Sequence, residues 1–378
     1  MSSITSEVIL EKLKNVIDPT FEKDIITLEH VSNIKVTKDK VEMDVVLRTP
    51  DAFEDEIKSA IEKELSAIPE LKKISVNFIV TIDRPIDELT TGNVPRAHKP
   101  LLTNVKNIIG VASNKGGVGK STVATNIACA LKELGAKVAL IDLDFYGPNI
   151  PTMFGVENRP AFMEFEKIQP IKQYGLDLMS VGFILESEGN PVILRAPLVN
   201  QLFMEFIEHV NWGSYDYLVA DLPPGTGDIQ LNLAQQLPNT RMVFVTTPQD
   251  VALADVIKGI KMFQQKGIEL PVIGLVENMS YFVCEHGTKY DIFGSGGAKK
   301  VTDKFKIPLL GQLPLLPKIR EQGDKGKPIV IADSKNPVSK EFIEIARKIT
   351  IEVAKNTYEI NEKRKKQVHI DLNLEMDM

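Results

Sequence analysis

The sequence predicts an α/β protein: a mostly parallel sheet flanked by helices, preceded by a small α+β domain. Three observations predict it. Short apolar runs recur beyond Val105, with helical stretches between several of them. One of these runs enters a glycine-rich turn that opens directly into an Ala-rich helix. Residues before about position 81 instead mix helical spacing with the alternation of half-buried strands.

Taken in order, Val8 to Val16 places Val8, Leu10, Leu13 and Val16 at helical spacing. Ile34–Thr37 alternates apolar and polar, and Val41–Leu47 is rich in β-branched residues, so both read as strands. Phe53–Ile68 is a second helix with Ala60, Ile61 and Leu65 on one face, and Ile74–Val80 is a further strand. The first domain, residues 1–81, thus runs helix, strand, strand, helix, strand. Residues 82–104 hold Pro85, Gly92, Pro95 and Pro100 among polar residues, the chemistry of a linker.

From Val105 onward the runs Ile108–Ser113, Val138–Asp142, Leu176–Val181, Tyr217–Asp221, Met242–Thr246 and Val272–Val276 are near-continuously apolar. That pattern implies strands covered on both faces, hence a parallel sheet over residues 105–357. A last long helix spans about Val338 to Lys355. Asn361-Glu-Lys-Arg-Lys-Lys and an acidic end then predict a solvated, mobile tail over 358–378.

Composition excludes several classes. The chain has 378 residues, 43% hydrophobic and 25% charged, with a formal net charge of -6, so no global attraction draws it to nucleic acid or anionic lipid. No apolar run approaches the roughly 20 residues that span a bilayer, and Met1–Glu7 lacks the basic and apolar regions of a secretory signal. Only Cys129 and Cys284 are present, which excludes a disulfide framework and points to a reducing cytoplasm.

The segment Ser113-Asn-Lys-Gly-Gly-Val-Gly-Lys-Ser-Thr122 carries the chemistry. Gly116, Gly117 and Gly119 are expected to free the backbone so that successive N–H groups, including that of Val118, turn inward around phosphate. The helix N-terminus adds partial positive charge. Lys120 reaches the β and γ phosphates, the Ser121 hydroxyl ligates Mg²⁺, and Asn114 to Thr122 together form the phosphate-cradling, nucleotide-binding loop. Asn114 stands where G-x-x-x-x-G-K-[ST] has its first glycine, and Asn tolerates left-handed backbone. The loop is therefore a P-loop, expected to bind ATP with Mg²⁺. Asp142 and Asp144 follow one core strand and Asp221 ends another, where carboxylates hold Mg²⁺ with its waters or orient an attacking water. Gly225 and Gly227 bracket a loop free to follow a γ-phosphate.

These residues resemble the deviant P-loop ATPases of the MinD/ParA class, whose mark is a second lysine at the front of the loop, here Lys115. The resemblance implies a homodimer sandwiching two ATP molecules, with Lys115 reaching the partner's nucleotide as an arginine finger does. It also implies that Asp144 handles the hydrolytic water and that Asn278 contacts adenine. Within the class the chain resembles the Mrp/ApbC family of iron–sulfur cluster carriers, through Asp142-Leu-Asp-Phe-Tyr-Gly-Pro, Asp221-Leu-Pro-Pro-Gly-Thr-Gly-Asp, Asn278-Met-Ser-Tyr-Phe-Val-Cys and Asp291-Ile-Phe-Gly-Ser-Gly-Gly-Ala. Residues 1–81, with Val16-Ile-Asp-Pro, resemble the small iron–sulfur assembly domain that often precedes it. The resemblance implies an ATP-hydrolysing carrier that passes clusters to apoproteins alongside assembly factors, and the acidic balance of the chain predicts no nucleic-acid or membrane partner.

One departure stands out. The family's C-x-x-C reads Cys284-Glu-His-Gly287, so a dimer offers two thiolates from this motif instead of four. Three readings stay open. Cys284 with His286 or exogenous thiols holds a labile iron–sulfur cluster, or stable cluster binding is lost, or Cys284 is a structural loop residue. Cys129, among apolar neighbours on the P-loop helix, reads as a buried core thiol. The rival functions are a MinD/ParA-like positioning ATPase without stable cluster binding and a P-loop kinase acting on a small substrate. The C-terminal residues show no sustained apolar face for a membrane, and the N-terminal domain argues against a kinase.

Overall fold

The computed structural model describes residues 5–50, 53–86, 101–184 and 196–376, with side chains in the last helix described as far as Gln367. The expected linker therefore falls largely outside the described residues, including Gly92, Pro95 and Pro100. The chain divides into two compact units, residues 1–84 with 350–378, and residues 85–349.

The smaller unit begins with α1 (Ser6–Leu13), followed by a short ribbon of β1 (Ile17–Asp18) and β2 (Lys23–Asp24). Then come β3 (Val31–Thr37), β4 (Lys40–Leu47), α2 (Glu54–Leu65) and β5 (Lys73–Val80). The strands pair in the order β3-β4-β5, antiparallel and then parallel, with α2 as the crossover helix. The inner face of α1 differs from the expected one. Ile9, Leu13 and Val16 are buried while Val8 is 45% exposed, because the Ile9–Leu13 step is one full turn toward α2. On α2 the buried stripe is Ile57, Ile61 and Leu65. These side chains meet Val41, Met43, Val45 and Leu47 of β4, whose strict alternation sends every second residue inward.

The larger unit contains β6 (Val105–Ala112), α3 (Lys120–Glu133), β7 (Val138–Asp142), α4 (Ile150–Met153), β8 (Phe162–Glu164), β9 (Lys167–Gln169), β10 (Ile171–Gln173) and β11 (Leu176–Ser180). After these come α5 (Ala196–Glu208), β12 (Tyr215–Asp221), α6 (Asp228–Gln236), β13 (Thr240–Thr246), α7 (Asp250–Met262) and β14 (Val272–Glu277). The chain continues with a hairpin of β15 (Phe282–Val283) and β16 (Lys289–Tyr290), α8 (Gly297–Phe305), β17 (Leu309–Gln312), α9 (Pro317–Asp324) and α10 (Ile329–Ala332). It closes with α11 (Pro337–Met376). Eight strands form one sheet in the order β10-β11-β7-β12-β6-β13-β14-β17, parallel except for the β10–β11 edge pair. Every residue of β7 and β13 is buried, as expected of strands roofed on both faces.

The last helix departs from expectation. It runs past Lys355 to Met376, and its second part belongs to the smaller unit. There the Tyr358 ring packs 5.3 Å from Phe21, its hydroxyl lies 3.2 Å from Lys23 Nζ, and Asn361 Nδ2 donates to Arg84 O at 3.2 Å. Tyr358 and Asn361 sit in a run of charged residues that reads as solvated by composition. A docked aromatic and amide instead tie this stretch of the helix to Phe21, Lys23 and Arg84.

Candidate functional site

The site lies at the carboxyl ends of the central strands, where open α/β sheets place ligands. Parallel register puts Ser180, Asp142, Asp221 and Val111 at one level across β11, β7, β12 and β6. The carboxylates of Asp142 and Asp221, 79 residues apart in sequence by number, thus become neighbours on adjacent strands. From β6 the chain turns through Ser113–Gly119 into α3. Gly117 (φ 80°) and Gly119 (φ 82°) occupy left-handed backbone, and Gly119 serves as the residue before the first helical turn. A Cβ on Gly119 would meet Asn278 Nδ2 at 2.3 Å. Gly116 and Asn114 do not use positive φ, so the first-glycine position needs no left-handed residue here. Asn114 instead packs its side chain against Gly259 of α7, where a Cβ would meet its Oδ1 at 2.1 Å.

Lys120 is 6% exposed, and its ammonium lies 2.7 Å from Asp221 Oδ1, 3.8 Å from Asp144 Oδ2 and 3.2 Å from Ser121 Oγ. Asp142 is fully buried. Its Oδ1 accepts the Asp144 N–H at 3.1 Å, while Oδ2 accepts the Ile150 N–H at 3.3 Å and the Ser180 hydroxyl at 3.0 Å. It therefore shapes the Asp144–Ile150 turn from inside. Burial, and then the charge of Asp221, push Asp142 up to about 8; burial likewise raises Asp144, against the pull of Lys120.

Asp221 Oδ2 is buried without a hydrogen-bond partner among the described residues. Two carboxylates, Asp144 and Asp221, face one ammonium, Asp142 lies beside Asp221 on the adjacent strand, and one oxygen of Asp221 is unsatisfied, a set that suits a cation. No group of three His, Cys, Asp or Glu side chains among the described residues is placed to hold a metal alone.

Two cavities adjoin the loop. One, of about 420 Å³, is lined by Gly119, Thr122, Asn126, Asn278, Leu315 and Arg320, and has the size and mixed character for a nucleoside. The other, of about 590 Å³, is lined by Asp144, Tyr146, Pro223, Gly227 and Gln230 and opens beside the phosphate end. Asn278, 7% exposed, donates from Nδ2 to Val118 O at 2.9 Å, so it clamps the P-loop while lining the first of these cavities. Lys115 is half-buried and forms no ion pair among the described residues.

Sequence reasoning missed Glu277. This fully buried carboxylate accepts from Ser280 Oγ at 2.5 Å, from Gln312 Nε2 at 2.7 Å and from the Ala298 N–H at the start of α8 at 3.1 Å. It anchors the Gly-Ser-Gly-Gly turn to the same strand end that positions Asn278. A charge ending an otherwise apolar strand run was the available signal.

Cys284 sits at the turn of the β15–β16 hairpin, half-exposed, with Gly287 at φ 79° closing the turn onto the Cys284 carbonyl. Desolvation pushes its thiol up, but the N–H groups of His286 and Thr288 and the Thr288 hydroxyl outweigh this and hold it below the usual thiol value. Cys129 is fully buried on α3 and burial pushes its thiol far up. Under native conditions iodoacetamide is therefore expected to alkylate Cys284 at least ~100-fold faster than Cys129. Peptide mass spectrometry over a time course measures this; equal labelling of both cysteines contradicts the assigned environments.

A central P-loop strand, a lysine held among carboxylates from neighbouring strand ends and a nucleoside-sized cavity define a P-loop nucleoside triphosphatase. Residues 104–350 match the family described as NUBPL iron-transfer P-loop NTPases, and residues 6–78 match the iron-sulfur cluster assembly protein family. The chain is 40% identical over 361 residues to the iron-sulfur cluster carrier protein of Synechocystis, covering 93% of this chain and 98% of that one. It is 42% identical over 354 residues to the carrier of Escherichia coli K12, covering 92% and 90%. Among solved structures, a nucleotide-binding protein from Archaeoglobus fulgidus in complex with ADP is 35% identical, with a TM-score of 0.55 over 64% of this chain and 93% of that chain. The chain belongs to the iron-sulfur cluster carrier family of P-loop NTPases. No helix among the described residues is long and apolar enough to cross a membrane.

Proposed function

We propose that this protein is an ATP-hydrolysing iron–sulfur cluster carrier that works as a homodimer and delivers its cargo to apoproteins in the cytoplasm. The observation that carries the reading is the single segment joining the two chemistries. Asn278 is clamped to the P-loop at Val118, Met279 takes a left-handed φ of 52°, and the chain then runs through Tyr281 into the hairpin bearing Cys284. The Tyr281 carbonyl accepts the Leu315 N–H at 2.7 Å, which ties the hairpin base to the wall of the nucleoside cavity. A change in the loop around phosphate is felt at the cysteine through this segment.

The triphosphate lies in the ring of loop amides, with Lys120 at its β and γ phosphates and Lys115 reaching the partner's nucleotide. Ser121 and Asp221, whose Oδ2 is unsatisfied, would hold Mg²⁺, with Asp142 ordering the turn beside its waters. When bound, Mg²⁺ supplies charge neutralisation for the β and γ oxygens. Asp144 orients water at the γ phosphorus and accepts a proton as water attacks; burial raises its proton affinity above that of a free carboxylate, against the pull of Lys120. ADP and phosphate leave, and the dimer geometry held by ATP relaxes.

Two Cys284 thiolates from a dimer serve as cluster ligands. The remaining coordination falls to His286 or exogenous thiols, because Gly287 stands at the second ligand position of the motif. Anaerobic reconstitution with iron and sulfide tests the reading, with both counted per chain. Cys284→Ser is expected to retain less than about a tenth of the wild-type iron and to lose the charge-transfer absorption of a thiolate-bound cluster. Equal iron and sulfide in both proteins would reject the role of the cysteine.

A further inference from the structure

We propose that Gln230 is a positioning residue for ATP hydrolysis: its carboxamide sets the Pro223–Gly227 loop against the P-loop and through it holds Lys115 in place. The proposal rests on the ATP-hydrolysing reading above and adds to it a residue that touches no phosphate.

Gln230 is 1% exposed and sits in the first turn of α6. Its Nε2 donates to Pro223 O at 2.8 Å and to Gly225 O at 3.1 Å, while its Oε1 accepts the Gly227 N–H at 3.0 Å. Both donors and one acceptor of a buried amide are thus spent on a single short loop, the loop that follows Asp221. A side chain needed only for volume would not require this arrangement, and an unpaired amide here would cost the full desolvation penalty.

The connection continues toward the catalytic lysine. The Gly225 N–H, presented by the turn that Gln230 braces, donates to Ser113 O at 3.0 Å. The Ser113 hydroxyl donates to Lys115 O at 3.1 Å. On the other side, the Leu222 N–H donates to Val111 O at 3.1 Å and the Leu143 N–H to Asp221 O at 2.9 Å, so the loop is anchored at its start by strands. Between that anchor and α6, Gln230 braces the loop from within. Gln230 also lines the 590 Å³ cavity together with Asp144, so a slack loop would change where both Lys115 and the attacking water stand. The brace reaches the front of the phosphate loop, at Ser113 and Lys115, whereas Lys120 and Ser121 stand in the first turn of α3 at its far end. The expected consequence is a loss in turnover with ATP binding kept.

The experiment compares wild type with Gln230→Met, which fills a similar volume without hydrogen bonds, and Gln230→Glu, which keeps the acceptor and turns an oxygen toward two carbonyls. In both variants kcat should fall on the order of tenfold or more while KM and the Kd for Mg-ATP stay within about threefold, the signature of mispositioning. Amide exchange of the peptide covering residues 222–231 should quicken in both. A kcat within twofold of wild type, a parallel loss of ATP binding, or unchanged exchange would overturn the proposal. A wild-type protein that turned over no ATP would sink the ATPase reading instead. The exchange comparison, which needs no turnover, still decides the role of Gln230: faster exchange supports it and unchanged exchange overturns it.

Discussion

Replacing Lys120 by alanine is expected to weaken Mg-ATP binding by at least ~100-fold and to lower the stability of the protein at the same time. The two losses have one cause. The Lys120 ammonium lies 2.7 Å from Asp221 Oδ1 and 3.8 Å from Asp144 Oδ2, and both Lys120 and Asp221 are buried. Removing one partner of a buried pair leaves the other uncompensated, at about 3–5 kcal/mol. Here the remaining carboxylate has a second one, Asp142, at the same level of the adjacent strand. Asp221→Asn in the Lys120→Ala background removes the stranded charge, so the double variant should melt above the single one while still failing to bind ATP. Calorimetric titration with Mg-ATP and thermal melting read the two effects separately. Wild-type affinity in the single variant would contradict the phosphate role of Lys120. A double variant melting as low as the single would contradict the electrostatic account of its stability.

Lys115→Ala is expected to bind ATP within a few-fold of wild type and to lose about 10³-fold in kcat, the scale of a cation supplied in trans to a transferring phosphoryl group. The structure separates the two lysines clearly. Lys120 is enclosed by carboxylates of its own chain, whereas Lys115 is half-buried, has no ion partner among the described residues and has its carbonyl held by Ser113. A lysine so placed is available to a second molecule without first breaking an internal pair. ATP affinity and single-turnover hydrolysis, measured on the same preparation, check this. Equal loss of affinity in Lys115→Ala and Lys120→Ala would contradict the cross-dimer role.

Most of the site was legible because its signals are local. The Lys115-Gly-Gly-Val-Gly-Lys-Ser sequence lies between an apolar run and an Ala-rich helix, and it forms a strand-to-helix turn. Asp142, Asp144 and Asp221 could be picked out because each follows an apolar run. What each carboxylate does was not legible. Asp142 spends its oxygens on Asp144, Ile150 and Ser180, and Ser180 carries no signal in its own neighbourhood. Gln230 was missed because its partners are backbone groups of a turn, which have no sequence identity to recognise, and Glu277 because Gln312 and the Ala298 N–H reach it only once the chain has folded. The C-terminal residues were misjudged from their charge, because composition does not reveal that Tyr358 and Asn361 find partners in the first 84 residues.

Local chemistry along the chain determined the elements, the phosphate loop and the absence of a second motif cysteine, since periodicity, glycine placement and residue identity are properties of contiguous segments. The order β11-β7-β12-β6-β13 was decided only by tertiary structure. So was the level at which Ser180, Asp142 and Asp221 align, because register is set by hydrogen bonds between strands far apart in the chain. That alignment gathers buried carboxylates around one lysine, and their charges acquire their strength only once the sheet has excluded water from them.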